Sequence, residues 1–286
     1  MLGHVLYREG SRRLDAHATV RADSLSEVAA EALDADRTLT GVRIEELSTI
    51  ERALDQTSAE VVVNCIGVVK QLAPAIGPAE MIRANALFPH QLAEICRGRG
   101  VRLIHLSTDC VFSGRRGGYT EDDTPDAEDT YGRSKLLGEP TGTGVLTLRT
   151  SMIGMELESS RGLLGWLLSQ SGEAPGFTGA RFTGPTVPVV AEAIAEVIEH
   201  HPGLEGTWHL GAEAISKYDL LVLLRDAFGL DLEIVANDSV TVDRTLDSSR
   251  YRAATGWAAP AWPEMVSALA ADAARRPKSR WPVARG

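Results

Sequence analysis

The sequence predicts an α/β fold: a doubly wound parallel sheet followed by a smaller α+β lobe. Three observations carry this prediction. Short β-branched runs alternate with segments of helical period between residues 61 and 149. Each run ends in a polar cluster, at residues 64–67, 107–109 and 150–152. Ligands of parallel sheets bind at the carboxyl ends of strands, so three clusters at three such ends outline a cleft. Finally, 286 residues at 44% hydrophobic and 24% charged content are enough for one large or two modest cores. The expected division is a first domain over 1–152 and a second over 153–286, with some later segments returning to the first.

The elements follow in order. Residues 1–9 read as the first turns of a helix with no strand before it. Residues 15–21 alternate toward a short strand, with Ala16, Ala18 and Val20 on one side. Residues 27–33 read as a short helix, and 42–53 as a strand remnant running into a helix. The run VVVNCIG at 61–67 is the clearest early strand. Residues 77–99 place Met81, Ile82, Ala84, Leu87, Leu92 and Ile95 at helical spacing and stop at Gly100. Residues 101–106 are a buried strand. A loop of about twenty residues follows, a length that is uncommon unless functional. Tyr131 then opens a helix that Gly138 and Pro140 close, and 145–149 form another strand.

Beyond residue 152 the pattern changes. Residues 161–170 are apolar and helical, whereas 172–188 are dense in Gly and Pro and read as loop. An amphipathic helix spans 189–200 and a short strand 206–211. Ser216 is placed to cap a helix running to Phe228, with Asp219 at the capping-box position. A short strand at 232–235, a helix from Ser248, a last helix over 262–274 and a loose Arg- and Pro-rich tail complete the chain.

Composition excludes several function classes. A net charge of −10 disfavours a nucleic-acid surface. No apolar run is long enough to span a bilayer, and no signal peptide is read. The three cysteines Cys65, Cys96 and Cys110 are odd in number and scattered. This predicts reduced thiols in a cytoplasmic protein, with Cys65 and Cys96 buried, rather than a disulfide frame or a metal site.

The chemistry is concentrated at Tyr131 and Lys135. Four residues apart, they share one helix face. A nearby ammonium favours phenolate and pulls a tyrosine pKa of about 10 downward, which readies a proton donor. The Thr108 hydroxyl, at the preceding strand end, is suited to sharing that proton or orienting a substrate oxygen.

The stretches STDCVFSG at 107–114, YTEDD at 119–123, YGRSK at 131–135 and LRTS at 148–151 resemble the extended short-chain dehydrogenase/reductases. Within them the likeness is to the dTDP-4-dehydrorhamnose reductase group, which reduces the 4-keto group of nucleotide-linked deoxysugars. It covers residues 1–262 and is weakest before Val61. The later SKYDLL and DRTLDSSR stretches look like related sugar-nucleotide reductases of polysaccharide synthesis. The resemblance implies a Rossmann-like dinucleotide domain over 1–152 and a mainly substrate-binding lobe over 153–286. It implies Thr108, Tyr131 and Lys135 as catalytic residues. Cofactor contacts would come from Gly3, Arg21, Cys65, Ile66, Gly67, Tyr131, Lys135 and Ser151. Substrate contacts would come from Lys70, Thr108, Asp109 and Met152, and Asn85 has a family counterpart near the active site. Arg21, at the end of the second strand, favours NADP(H), with NAD(H) as the alternative. The implied partner is a nucleotide sugar, and a homodimer is compatible with the family.

Two departures matter. The family's first strand and most of its glycine fingerprint would precede Met1, leaving only Gly3. That strand is central, so without it the sheet is expected to show a gap. A start codon upstream, a gap filled otherwise and weak cofactor binding are the three readings. Met152 stands where the group often has Trp, which opens the choice of nucleotide 4-ketosugar. Two alternatives share the fold: a non-catalytic regulatory subunit, as in methionine adenosyltransferase, and an NAD-dependent nucleotide-sugar epimerase or dehydratase.

Overall fold

The structure is a computed structural model describing residues 1–72 and 75–275. The tail expected to be loose lies outside them from residue 276. In chain order the elements are α1 (Leu2–Gly10), β1 (Ala18–Thr19), α2 (Glu27–Ala32), β2 (Thr38–Leu39), α3 (Leu47–Thr57) and β3 (Val61–Asn64). Then come α4 (Pro78–Ile82), a π-helical turn (Arg83–Leu87), α5 (Phe88–Arg99), β4 (Arg102–Ser107), α6 (Thr130–Leu137) and β5 (Val145–Arg149). The last set is α7 (Leu163–Leu168), β6 (Gly172–Phe182), α8 (Val187–His200), β7 (Gly206–His209), β8 (Ile215–Ser216), α9 (Lys217–Phe228), β9 (Leu232–Asp243), α10 (Ser249–Thr255) and α11 (Trp262–Ala274). Among the described residues no helix is long and apolar enough to cross a membrane.

The chain forms two compact units. Unit 1 takes residues 1–107, 129–148 and 191–207; unit 2 takes 108–128, 149–190 and the chain from 208 onward. In unit 1 a four-stranded sheet has the order β3-β4-β5-β7. β3 and β4 pair in parallel, with Asn64 opposite His105. β1 and β2 pair in parallel as a separate two-stranded sheet. The interruption expected of the sheet is therefore present, between β1–β2 and β3. The strand expected within 42–53 lies earlier, at β2. Val42 and Arg43 instead turn into α3: the Arg43 N–H donates to the Thr49 Oγ at 2.9 Å, which holds the turn closed.

The core of unit 1 joins Val42, Ile50, Ala53, Phe88, Leu92, Cys96, Leu103 and Val145. The apolar positions of α3 and α5 recur every three or four residues, so each helix puts one stripe into this core. Full burial of a residue such as Leu103 contributes roughly 2 kcal/mol. Cys96 is buried as expected, but Cys65 is exposed, because β3 ends at Asn64 and Cys65 already lies in the strand-end loop.

In unit 2, β6 lies between β8 and β9, antiparallel to the first and parallel to the second. Residues 172–182, read from sequence as loop, are thus a central strand. Its glycines are there for close approach. A Cβ on Gly176 would lie 2.8 Å from the Ile234 side chain and 3.0 Å from the Tyr218 Cα, and one on Gly179 would lie 2.8 Å from the Val240 carbonyl oxygen. β8 pairs only with Arg181 and Phe182, so Pro175 removes no donor that β8 needs. β9 is also much longer than the four residues read as strand. The core of unit 2 includes Leu164, Leu167, Phe182, Leu220, Leu224, Ile234, Trp262, Met265 and Leu269.

The end of α6 stands directly on the π-helical turn. A Cβ added at Gly138 would lie 1.7 Å from the Asn85 carbonyl oxygen and 3.0 Å from the Ala86 Cα. Both obstacles are backbone and cannot rotate away. Gly138→Ala is expected to cost about 3 kcal/mol or to displace α6, and urea denaturation of the full chain measures the loss.

Candidate active site

In unit 1 the candidate residues converge on the loop after β3. Asn64 is buried and accepts the Ile66 N–H on its Oδ1 at 3.0 Å, while its Nδ2 lies 3.1 Å from His105 Nδ1. This turns the chain sharply at the strand end and exposes Cys65, Ile66 and Gly67. The loop is held from its other side by Asn85. That amide is fully buried, accepts the Val68 N–H at 2.8 Å and donates to the Val68 carbonyl at 3.0 Å. Its Nδ2 also donates to Ser134 Oγ at 3.2 Å, and Ser134 donates to the Tyr131 carbonyl at 2.8 Å. Asn85 sits in the middle of the π-helical turn, a distortion often found at functional positions. One side chain thus ties the strand-end loop to the helix carrying Tyr131 and Lys135.

That helix starts where the sequence placed it. Asp129 is its N-cap and accepts the Gly132 N–H at 2.7 Å. Lys70 pairs with the same carboxylate at 2.6 Å, which puts it at the Tyr131 end of α6. Tyr131 is half-buried at the first turn. Lys135 is 5% exposed and donates to the Leu106 carbonyl at 2.6 Å. Desolvation pushes its pKa down to about 8, opposed by the charge of Glu139. Glu139 is held by the Ser107 hydroxyl at 2.6 Å. The ammonium therefore keeps its charge at pH 7. The same lysine helps to keep His105 well below the usual histidine range, after burial, which is the larger cause.

A Cβ on Gly67 would lie 3.4 Å from Asn85 Oδ1 and 3.9 Å from Lys135 Nζ, so the exposed backbone of this loop passes beside that ammonium. Exposed backbone next to a buried ammonium at a strand end fits a dinucleotide. The first turn of α1 offers a helix N-terminus suited to a phosphate. Gly3 is not sterically required there, since its Cβ would meet only Cys65 Cβ at an ordinary 3.8 Å. Arg21 is exposed and donates to Glu45 at 3.3 Å, and among the described residues it makes no hydrogen bond to the Gly67 loop.

In unit 2, Thr108, Asp109 and Ser151 form one cluster. The buried Asp109 accepts from the Thr108 hydroxyl at 3.2 Å and from the Ser151 hydroxyl at 2.8 Å. Thr108 also caps the following 3-10 turn by accepting the Cys110 N–H at 3.1 Å. Met152 is half-buried next to Ser151. Ser151, assigned by resemblance to the cofactor, is hydrogen-bonded to a residue assigned to the substrate. Sequence reading missed Asp129, Ser134, Glu139 and Lys217. Asp129 had a local signal, an acid two residues before Tyr131 at a helix start, and Ser134 and Lys217 lie within the YGRSK and SKYDLL stretches.

The family model described as the RmlD substrate binding domain matches residues 1–274. The chain belongs to this family. The chain is 29% identical over 229 residues to the probable low-salt glycan biosynthesis reductase Agl14 of Haloferax volcanii, covering 76% of this chain and 75% of the relative. It is 26% identical over 210 residues to methionine adenosyltransferase 2 subunit beta of Rattus norvegicus, covering 66% of this chain and 60% of that one. A hypothetical dTDP-4-dehydrorhamnose reductase from Sulfolobus tokodaii superposes with TM-score 0.74 at 24% identity, over 91% of this chain and 94% of the other. The dTDP-4-dehydrorhamnose reductase of Bacillus anthracis, solved in complex with NADP, superposes with TM-score 0.73 at 17% identity, over 89% and 98%. These likenesses show a Rossmann-like α/β fold. The chain's relatives thus include a probable reductase and a subunit of methionine adenosyltransferase 2.

Asn85→Ala would leave the Val68 N–H and carbonyl without partners and release Ser134. The expected loss is about 3 kcal/mol of stability, together with faster hydrogen exchange confined to residues 65–69 and the first turn of α6, read by mass spectrometry.

Proposed function

We propose that this protein is an NADP(H)-dependent reductase of the keto group of a nucleotide-linked deoxysugar. The observation that carries the reading is the buried Lys135, anchored to the Leu106 carbonyl on the helix that also carries Tyr131.

A bound nicotinamide supplies the hydride. Tyr131 gives its phenolic proton to the ketone oxygen, with Lys135 lowering the cost of the phenolate by its charge. The Leu106 carbonyl and Ser107-held Glu139 keep that lysine in place. Thr108 hydrogen-bonds the reacting oxygen, a role assigned on its motif, and Asp109 orients Thr108 through the bond between them. The backbone of Cys65, Ile66 and Gly67 passes under the dinucleotide. Ser151 contributes to the cofactor side, and Lys70 and Met152 to the substrate side. Arg21 donates to the 2′-phosphate in exchange for its exposed pairing with Glu45, a contact of little net worth in water.

A second reading is favoured by the likeness to methionine adenosyltransferase 2 subunit beta. In that reading the chain binds a dinucleotide and turns over no ketosugar. Titration with NADPH together with a turnover assay on dTDP-4-keto-6-deoxyglucose separates the two: binding without turnover selects the regulatory role.

Three outcomes are expected. Tyr131→Phe lowers ketosugar-dependent NADPH oxidation by at least 10³-fold while NADPH binding stays within threefold; retained turnover removes Tyr131 as the acid. In the wild type, kcat/KM falls as pH rises through about 8, where Lys135 loses its proton in the folded protein. Arg21→Ala weakens NADPH at least tenfold and leaves NADH unchanged, whereas Glu45→Gln tightens NADPH; equal effects on both cofactors would argue against a phosphate at Arg21.

A further inference from the structure

Unit 2 holds a second lysine that neither the resemblance nor the proposed reaction uses. Lys217 is the first residue of α9, where the helix dipole disfavours a positive charge. Its ammonium stands 3.3 Å above the centre of the Phe182 ring. Among the described residues it has no hydrogen-bond acceptor and no ion pair. Desolvation pushes its pKa down to about 8, while Asp109 and Cys110, the titratable groups acting on it, pull it back up. It is therefore charged at pH 7. Asp109 is thus near enough to act on Lys217 but does not close a contact with it. Each carboxylate oxygen of Asp109 carries one side-chain hydrogen bond, from Thr108 or Ser151, and keeps a lone pair for another.

The arrangement is an unspent donor and an acceptor with spare capacity, bordered by an aromatic face. A phosphate or carboxylate would satisfy the lysine but would meet the Asp109 carboxylate with like charge. A hydroxyl satisfies both, because it accepts from one neighbour and donates to the other. We propose that Lys217 recognises the sugar: its Nζ donates to a hydroxyl of the glycosyl unit, and that hydroxyl donates to Asp109. This rests on the reading that the protein takes a nucleotide sugar, and it adds a residue that selects for the sugar rather than the nucleotide.

The test is calorimetric titration of the full chain at pH 7 with dTDP and dTDP-glucose, and with UDP and UDP-glucose. In the wild type the sugar nucleotide of at least one pair binds ten times more tightly than its nucleotide, or better. In Lys217→Met, which keeps the aliphatic stem on Phe182, that advantage disappears and nucleotide affinity stays within twofold. Lys217→Arg restores at least a third of it. Lys217→Gln serves the same purpose if the Met variant melts early. An advantage that survives in Lys217→Met and Lys217→Gln overturns the role of Lys217 and leaves the nucleotide-sugar reading intact. Wild-type protein that binds neither nucleotide nor sugar nucleotide overturns that reading, and this inference with it.

Discussion

A fully buried amide, Asn85, uses three hydrogen bonds to hold the loop after β3 against the helix that carries Tyr131 and Lys135. The rest of unit 1's candidate site depends on it. The amide is inside the protein and each bond it makes is to a group that would otherwise be left dry. Losing one of them therefore exposes the full desolvation cost of its partner, far above the net value of a surface hydrogen bond. The π-helical turn brings Asn85 to this position, and the missing side chain of Gly138 lets α6 rest on the same turn. Two irregularities, an added helical residue and an absent Cβ, thus solve one packing problem.

Burial also sets the electrostatics. Lys135 and Lys217 are both pushed down to about 8 by desolvation, but their surroundings differ. Lys135 is hydrogen-bonded to a backbone carbonyl and faces Glu139, which Ser107 holds. It is an ammonium whose place is settled in advance. Lys217 rests on an aromatic ring and waits near a carboxylate it does not reach. The first arrangement suits a charge that stabilises a developing phenolate. The second suits a donor that completes its bonding only with a ligand. Exposed pairs such as Arg21 with Glu45 carry neither cost and can exchange partners readily.

In unit 1, β1–β2 and β3-β4-β5-β7 are separate ladders. Even so, β3 and β4 keep their parallel register and the loop at Gly67 is fully clamped. The parts that hold the candidate chemistry are tied to one another by side chains in unit 1, independently of pairing with β1.

The amino-acid order alone determined everything that depends on short spacing. Tyr131 and Lys135 share a helix face because the helical period puts them there. Ser216 caps α9 and Gly100 ends α5, because each outcome is decided by residues within a turn or two. Tertiary structure decided the rest. The glycine-rich stretch 172–182 became a strand because Tyr218, Ile234 and Val240 pack where side chains would otherwise stand. Cys65 came out exposed, Asn85 met Val68 and Ser134 across the fold, and Lys217 came to rest on the Phe182 ring. Burial and the count of satisfied hydrogen bonds are properties of the assembled chain, and no local pattern encodes which far-off group will arrive to complete them.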